Sequence, residues 1–297
     1  MPEKTCLGCG QTFVPKRKES QYCSRTCSNK RTGKSISARA RDEGERPIAW
    51  ACGGGVDSTA IAVLICQGEL PPPDYAWIVD VGYEPQSTWD YVHNVLQPNL
   101  ANVGVTLHIL RTTDYTHNDL VRLGYPTIPA YRKREDGSIQ KLHTHCSNGW
   151  KARVAERWLR SQGVKAIEQW VGIAAEETRR IRESDKAWVR LRYPLVERGL
   201  SRADCLYLIG QAGWPMPERS SCYLCPHRSQ GDWRRLAARN YEDFRRAVEA
   251  EKVIQKTNPD IYLHRSGLPL DVAVNGCMRA GEADAPIGCE PGLFSCA

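Results

Sequence analysis

The sequence predicts an α/β protein built on a parallel, Rossmann-like sheet, and three observations support this prediction. Short apolar runs at residues 48–52, 74–79, 105–110 and 170–174 have the length and composition of strands buried on both faces. Two of these runs are followed at once by stretches that read as helices, as in strand–helix–strand units. The first run leads through a glycine-rich turn into an apolar helix. The glycine-rich turn is therefore the first candidate site.

That strand–turn–helix stretch reads WACGGGVDSTAIAVLICQ, residues 50–67. Three consecutive glycines let the backbone turn tightly with no side chain in the way. Polar residues then stand where the helix begins, so free N–H groups, the helix dipole and hydroxyls favour an anion such as phosphate. The glycines are Gly53, Gly54 and Gly55, and the polar residues are Asp57, Ser58 and Thr59.

The spacing of this loop matches neither G-x-x-x-x-G-K-[ST] nor G-x-G-x-x-G, which argues against a Walker kinase and a dinucleotide fold. GGGVDST instead resembles the SGGxDS loop of the PP-loop ATP pyrophosphatases, which cleave ATP between the α and β phosphates. Gly53 stands where those enzymes often carry serine. The alternative is a glycine turn in an ordinary α/β domain.

A second stretch, IVDVGYEPQSTWDYV, resembles the D-T-G-x-E-x-x-x-T segment of the phosphoadenosine phosphosulfate reductase branch of the PP-loop proteins. Asp80, Gly82, Glu84 and Thr88 match, whereas Val81 replaces a threonine. The resemblance implies that Asp80, Gly82 and Glu84 help to shape a nucleotide pocket at the carboxyl ends of the strands. The alternative is an ordinary helix start.

A third stretch, GIAAEETRRI, resembles the family pattern G-I-x-x-[DE]-E-x-x-R through Gly172, Glu177 and Arg180. The resemblance implies that Glu177 lies at the nucleotide and that Arg180 holds a phosphate or stabilises departing pyrophosphate. The alternative is an ion pair between Glu177 and Arg180. With this match, the implied catalytic residues are Asp57, Ser58 and Arg180.

Thirteen cysteines suggest metal ligation rather than disulfides in a reducing compartment. Four of them fall in HCSNGWK and in the RADC and SSCYLCPHRS segments, which resemble motifs of phage and bacterial reductase-like PP-loop proteins. This set, Cys146, Cys205, Cys222 and Cys225, has the ligand count of a [4Fe-4S] cluster or a tetrahedral zinc, and the spacing does not choose between them. Inert thiols are the alternative. Cys277, Cys289 and Cys296 could complete or replace ligands.

The N-terminal segment carries a separate cysteine set, Cys6, Cys9, Cys23 and Cys27, with knuckle spacing that predicts a structural Zn²⁺ site. Residues 1–46 hold eleven Lys or Arg against five Asp or Glu, so most of the net charge of +7 lies here. Such a basic surface suits the phosphate backbone of tRNA or DNA. The alternative is a solvated basic face.

These features predict four parts: a zinc finger at residues 1–30, a linker at 31–46, the nucleotide-binding domain at 47–200 and a cysteine-containing region at 201–297. No apolar run approaches the roughly 18 residues of a membrane helix, and the N-terminus lacks the apolar core of a signal peptide. We therefore expect a cytoplasmic protein that does not enter a membrane. The oligomeric state is left open.

The resemblance implies an enzyme that binds ATP and Mg²⁺, forms AMP and pyrophosphate, and adenylates a nucleic-acid target for sulfur transfer, with a sulfur-donor protein as a further partner. A sulfonucleotide reductase is the first alternative, although no C-terminal E-C-G-x-H motif is present: the only Cys-Glu pair there is Cys289-Glu290. A nucleic-acid-binding accessory subunit that senses nucleotide is the second.

Overall fold

The computed structural model describes residues 2–6, 11–15, 21, 23, 46–143 and 145–275. A five-stranded sheet forms its centre, in the order β3-β2-β1-β4-β5, and every neighbouring pair of strands is parallel. The strands are β1 (Ile48–Ala51), β2 (Tyr75–Asp80), β3 (Leu107–Arg111), β4 (Ile167–Val171) and β5 (Val189–Arg192). The predicted parallel α/β fold is confirmed, and each of the four expected strands lies within three residues of its predicted bounds.

Helices cover both faces of this sheet. They are α1 (Val56–Cys66), α2 (Gln86–Tyr91), α3 (Gln97–Ala101), α4 (Arg153–Ser161), α5 (Pro194–Glu197), α6 (Arg202–Gln211), α7 (Gln230–Arg239), α8 (Tyr241–Gln255) and α9 (Leu270–Asn275). A π-helical turn at Val92–Leu96 joins α2 to α3, and another at Ser147–Ala152 leads into α4. Short 3₁₀ helices lie at Thr112–Asp114 and Ala175–Arg180.

The strand residues alternate between two hydrophobic clusters, as the period of two in a strand requires. Trp50 and Ile78 face α1, α6 and the α2–α3 segment, whereas Ala49 and Trp77 face α4, α7 and α8. Both β1 residues are fully buried. The result is a three-layer α/β/α arrangement, in which the strands read as continuous apolar runs because both faces are covered.

Smaller sheets surround this core. Tyr131–Lys133 and Ile139–Lys141 form an antiparallel hairpin whose connection contains Asp136-Gly137, a residue pair typical of turns, and Ile261–Tyr262 extends it to three strands. Val121–Arg122 pairs with Tyr125–Pro126. Near the N-terminus, Lys4–Thr5 pairs antiparallel with Thr12–Phe13. These elements leave the carboxyl edge of the large sheet to the loops that follow β1, β2, β3 and β4.

The predicted boundaries at residues 30, 46 and 200 remain predictions. Residues 31–45 of the predicted linker lie outside the described part of the chain. The first helix after residue 200, α6, packs closely against α1 and shares its hydrophobic cluster through Cys205 and Ile209. Among the residues described, no helix combines the length and apolar character that a membrane crossing needs.

Candidate functional site

The strand order reverses direction beside β1, because the chain proceeds from β1 to β2 on one side and later returns to β4 on the other. In open parallel sheets, the loops diverge at such a point and leave a crevice at the carboxyl ends of the strands. The glycine loop follows β1 into this crevice, and Gly172 follows β4. The candidate phosphate loop thus lies where an α/β sheet offers a ligand site.

The Ser58 hydroxyl and the loop that follows β4 both hold the glycine loop in place. The backbone N–H of Gly53 donates to Ser58 Oγ at 2.8 Å. A Cβ on Gly172 would lie 3.3 Å from the backbone nitrogen of Ser58 and 3.4 Å from the carbonyl carbon of Asp57. Glycine at position 172 therefore lets the β4 loop touch the start of α1 with its backbone alone.

Gly54 and Gly55 have no room for a side chain without movement of a neighbour. Gly54 has φ of +70°, and a Cβ there would meet Thr88 Cγ2 at 3.2 Å. A Cβ on Gly55 would lie 2.8 Å from Ser220 Oγ. The loop is thus enclosed by α2 on one side and by the segment before Cys222 on the other, and its backbone is what remains for a ligand to contact.

Asp57 begins α1 as a buried carboxylate, and Arg202 is its partner. Arg202 Nη1 donates to Asp57 Oδ1 at 2.8 Å across 145 residues of sequence. Burial raises the pKa of Asp57 above its usual value, and the charge of Arg202 opposes that shift. The arginine side chain is itself about half exposed. One cation therefore neutralises the loop's carboxylate while part of it still faces solvent.

The 3₁₀ helix after β4 supplies the remaining charges. Arg180 and Glu177 form an ion pair, which was the alternative stated for these two residues. Both charges also act on the pKa of Asp57, Glu177 by raising it and Arg180 by lowering it. Glu176 accepts the backbone N–H of Arg202 through both carboxylate oxygens, at 2.8 and 3.0 Å. The β4 loop and the start of α6 are thereby joined beside the glycine loop.

Thr59 corrects one expectation. Its side chain is fully buried within α1, so its hydroxyl is not presented to the crevice. Ser58, one residue earlier, is 7% exposed and faces the loop through its contact with Gly53. The physical reason is helical phase, since each residue of a helix turns by about 100° from the one before it.

The residues of the D-V-G-Y-E segment after β2 lie in two different environments. Asp80 Oδ1 accepts the N–H of Gly82 at 2.7 Å, and Gly82 has φ of +81°, so the two residues form a tight turn at the strand end. Glu84 is 7% exposed and accepts the N–H of Val81 at 3.1 Å. Burial raises the pKa of Glu84, while the charge of Lys151 lowers it. Glu84 is thus largely buried, and its predicted contact with nucleotide remains a prediction.

Glu84 joins two of the cysteine-bearing segments. Its Oε1 lies 3.7 Å from Lys151 Nζ, five residues after Cys146, and 3.9 Å from Cys222 Sγ. The Tyr83 ring packs against Trp150 at 5.7 Å and against Tyr223 at 6.0 Å. The backbone N–H of Cys225 donates to the carbonyl of Cys222. The Cys146 and Cys222 segments therefore converge on Tyr83 and Glu84.

Cys205 lies elsewhere, and the predicted four-cysteine site needs correction. It is fully buried between α6 and α1, in the cluster that contains Trp50, whereas Cys146 and Cys222 pack against the cluster on the opposite face of the sheet. Burial raises the pKa of the Cys205 thiol to about 12. In the described part of the chain, no three His, Cys, Asp or Glu side chains are grouped so that they could hold a metal ion. The four residues as a set do not fit a [4Fe-4S] cluster or a zinc ion.

Half of the N-terminal cysteine set is described. Cys6 follows the strand Lys4–Thr5 and is buried, and the backbone N–H of Cys23 donates to its Sγ at 3.3 Å. Cys9 and Cys27 lie outside the described residues, as do Cys277, Cys289 and Cys296. The zinc site remains a prediction.

Three residues of the crevice were not among the predicted site residues: Arg202, Glu176 and Ser220. Each belongs to a segment whose motif was recognised, but a motif does not state which of its polar residues reaches a loop far away in sequence. The available signal for Arg202 was its place beside Ser201, which caps α6 by accepting the N–H of Asp204. The helix dipole disfavours a cation in the first turn of a helix, so an anionic partner is expected near it.

Neither a family model nor a curated protein matches this sequence. Solved structures similar to it include the two that follow. The phosphoadenylyl-sulfate (PAPS) reductase of Candida auris, in a phosphate complex, has 15% identity and a TM-score of 0.42 over 61% of this chain and 83% of its own. The U34-tRNA thiolase NcsA of Methanococcus maripaludis, with its [4Fe-4S] cluster, has 17% identity and a TM-score of 0.41 over 99% and 95%. Such scores transfer no activity to this chain.

We expect Gly54→Ala to lower the free energy of unfolding more than Gly68→Ala. Both glycines have φ near +70°, so alanine costs about 1 kcal/mol or more of backbone strain at either position. Only at Gly54 does the new methyl meet neighbours, which adds about 1 to 3 kcal/mol. Denaturant unfolding of the two variants measures the difference. Equal losses would contradict the enclosed geometry of the loop.

We expect Arg202→Ala to destabilise the fold by about 1 to 2 kcal/mol, less than a fully buried pair would cost because Arg202 is half exposed. Without its cation, the buried Asp57 has a still higher pKa, so the folded state favours the protonated form. The loss therefore grows as the pH rises from about 4 to 7. Unfolding measured across this range checks the sign.

Asp57→Asn provides the control for this pair. In the Asp57→Asn, Arg202→Ala double variant there is no carboxylate to ionise, so the extra dependence on pH should disappear. A loss in Arg202→Ala that is constant over the range would contradict the assigned ion pair.

The metal content of cysteine variants can distinguish Cys205 from the other three cysteines of the predicted metal site. We expect Cys205→Ala to keep whatever iron, sulfide or zinc the full chain carries when it is purified without oxygen, because Cys205 lies on the other face of the sheet. If the Cys146 and Cys222 segments bind iron and sulfide, or zinc, Cys222→Ser should lose that content. Loss of metal in Cys205→Ala, with the fold intact by circular dichroism, would contradict the location of Cys205 away from the metal ligands.

Proposed function

We propose that this chain is an ATP-using enzyme of the PP-loop superfamily, which releases AMP and pyrophosphate while it adenylates a nucleic-acid target for sulfur transfer. The observation that carries the proposal is the enclosed glycine loop at the strand reversal, with Asp57, Arg202 and Arg180 beside it. Resemblance of this loop to SGGxDS and of the β4 loop to G-I-x-x-[DE]-E-x-x-R supports the same reading, because the two loops meet.

The loop is suited to the phosphates of ATP. Gly54 and Gly55 leave backbone N–H groups as the contacts available to an anion, and the first turn of α1 adds its own free N–H groups. The Ser58 hydroxyl accepts from Gly53, and its hydrogen, which has the Cys52 thiol as a neighbouring partner, would be donated to a phosphate oxygen. A magnesium ion, when bound with ATP, neutralises phosphate charge as Mg²⁺ does in phosphoryl transfer.

The two arginines would act on charge that develops during the reaction. An acceptor oxygen attacks the α-phosphorus, the bond from that phosphorus to the bridging oxygen breaks, and pyrophosphate leaves with the electron pair. Arg180 and Arg202 are each paired with a carboxylate and partly exposed, so they can offer a donor to the leaving group. Fixed cations placed at developing charge lower the barrier without reorganisation.

The second half-reaction would transfer sulfur. A persulfide of a donor protein attacks the adenylated carbon, and AMP leaves as the carbon–oxygen bond breaks. A thiol of the donor protein or of a small-molecule reductant then attacks the remaining S–S bond, forms a disulfide with the donor and leaves one sulfur on the target. The proposed reaction has no step at an iron–sulfur cluster, because the predicted four cysteines do not lie together. The Cys146 and Cys222 segments are the remaining candidates for sulfur or metal chemistry, since they converge on Glu84.

The nucleic-acid partner is supported by charge. Most of the net charge of +7 lies in residues 1–46, and a basic segment of this kind suits a phosphate backbone. In this proposal the predicted zinc finger recruits the polymer and the crevice performs the chemistry.

The test uses the full chain purified without oxygen and ATP labelled on the α phosphate. We expect release of AMP and pyrophosphate that increases with either tRNA or duplex DNA, which would name the acceptor class. Arg180→Ala should reduce kcat/KM about 100-fold, the scale of losing one charge-stabilising donor. Ser58→Ala should reduce it too, while Ser138→Ala, at the exposed hairpin turn, should not.

Two results would overturn the proposal. The first is bound ATP with no release under any condition, in which case sulfite release from a sulfonucleotide tests the reductase alternative. The second is unchanged turnover in both Arg180→Ala and Ser58→Ala, which would place the chemistry outside the crevice.

A further inference from the structure

A second concave site lies beside the crevice, at the carboxyl ends of β2 and β3. It is an open groove of about 500 Å³. Asp80 and Arg111, which end these two strands and pair in register, form one side of it. Trp89 and His93, from α2 and the π-helical turn, form another, with Ile109 at the floor. None of these residues except Asp80 has a role in the chemistry proposed above.

The wall of the groove is aromatic. Trp89 and His93 have ring centroids 6.2 Å apart with planes inclined by 30°, so the two rings are neighbours in this wall. Trp89 is half-buried and packs against the core, while His93 is exposed and its Nδ1 lies 2.8 Å from Gln97 Oε1. A fixed aromatic platform of this kind binds flat, unsaturated rings, and nucleobases in particular stack on it.

The polar groups of the groove complement a base and one phosphate. Asp80, Asp114 and Gln86 line it, and carboxylates and amides accept hydrogen bonds from the amino groups of bases. Arg111 lines the same groove and forms no ion pair with any residue that the structure describes. Arg111 is the side chain of the groove that can donate to a phosphodiester oxygen.

We propose that this groove binds a nucleobase of a single-stranded nucleic-acid acceptor, with the base on Trp89 and its phosphodiester at Arg111. The inference rests on the proposed function, since it supplies the acceptor for the ATP crevice. The two sites are adjacent: Thr88 would touch a Cβ on Gly54 at 3.2 Å, and the next residue, Trp89, lines the groove. A base held there would bring its nucleotide to the edge of the glycine loop.

The test is equilibrium binding by the full chain, with fluorescein-labelled single-stranded RNA and DNA of about twelve nucleotides as probes. We expect Trp89→Ala to raise the dissociation constant for at least one probe about tenfold or more, the scale of losing one stacked base. Trp89→Phe should restore most of the affinity because it keeps a flat ring. Tyr207→Ala, an exposed aromatic on α6 outside the groove, is the matched control.

ATP binding, measured by calorimetry on the same variants, separates the two possible sources of a base. Unchanged ATP affinity in Trp89→Ala, with weaker oligonucleotide binding, is the expected result. A loss of ATP affinity instead would make the groove the adenine site and overturn the proposal. Unchanged binding of both ligands, or no oligonucleotide binding by the unaltered chain, would overturn it as well.

Two features of the binding experiment allow an unambiguous result. If Trp89→Ala does not fold, His93→Ala at its exposed position still tests the platform, with an expected loss of about threefold or more. The binding assay needs no turnover, so failure to release pyrophosphate would refute the proposed reaction and leave the groove to be judged on affinity alone.

Discussion

The parallel pairing of β1 with β2 on one side and β4 on the other governs the geometry of this protein. Because β1 is central and buried on both faces, its carboxyl end is fixed, and the glycine loop begins from a rigid point. The loop after β4 then approaches so closely that Gly172 contacts the start of α1 through backbone alone. Every candidate contact to phosphate depends on this approach.

The distribution of charge follows from the same arrangement. Two carboxylates, Asp57 and Glu84, are both buried, and burial raises the pKa of each. Asp57 is matched by Arg202 at 2.8 Å, whereas Glu84 has Lys151 at 3.7 Å and a cysteine thiol. The first carboxylate organises the crevice, and the second organises the segments that carry Cys146 and Cys222. These two buried acids thus organise two neighbouring regions, the glycine loop and the segments that carry Cys146 and Cys222.

Features that depend on local sequence were predictable. Four strands, the turn at Asp136-Gly137 and the start of α1 follow from apolar runs, glycines and polar caps within a few residues. The fifth strand, β5, was not predicted, because an exposed edge strand that reads Val-Arg-Leu-Arg lacks a continuous apolar run. Local sequence patterns therefore predict a strand more reliably where both faces of that strand are buried.

Features that depend on the side of the sheet were not predictable. The Asp57–Arg202 contact spans 145 residues, and no local signal pairs these two positions. Cys205 matches a motif as well as Cys222 does, yet the phase of α6 turns it into the core beneath α1. A linear motif records the spacing of residues along the chain but not the face of the sheet on which each one lies.

The long separation between β1 and its partners also bears on how the chain is made. β1 ends at Ala51, but its neighbour β4 begins at Ile167, and Arg202 comes later still. While the ribosome is still adding these residues, the nascent chain exposes one edge of β1 and an unneutralised Asp57. Contacts between residues so far apart form slowly. The crevice is therefore complete only once Arg202 has been added to the chain and can neutralise Asp57.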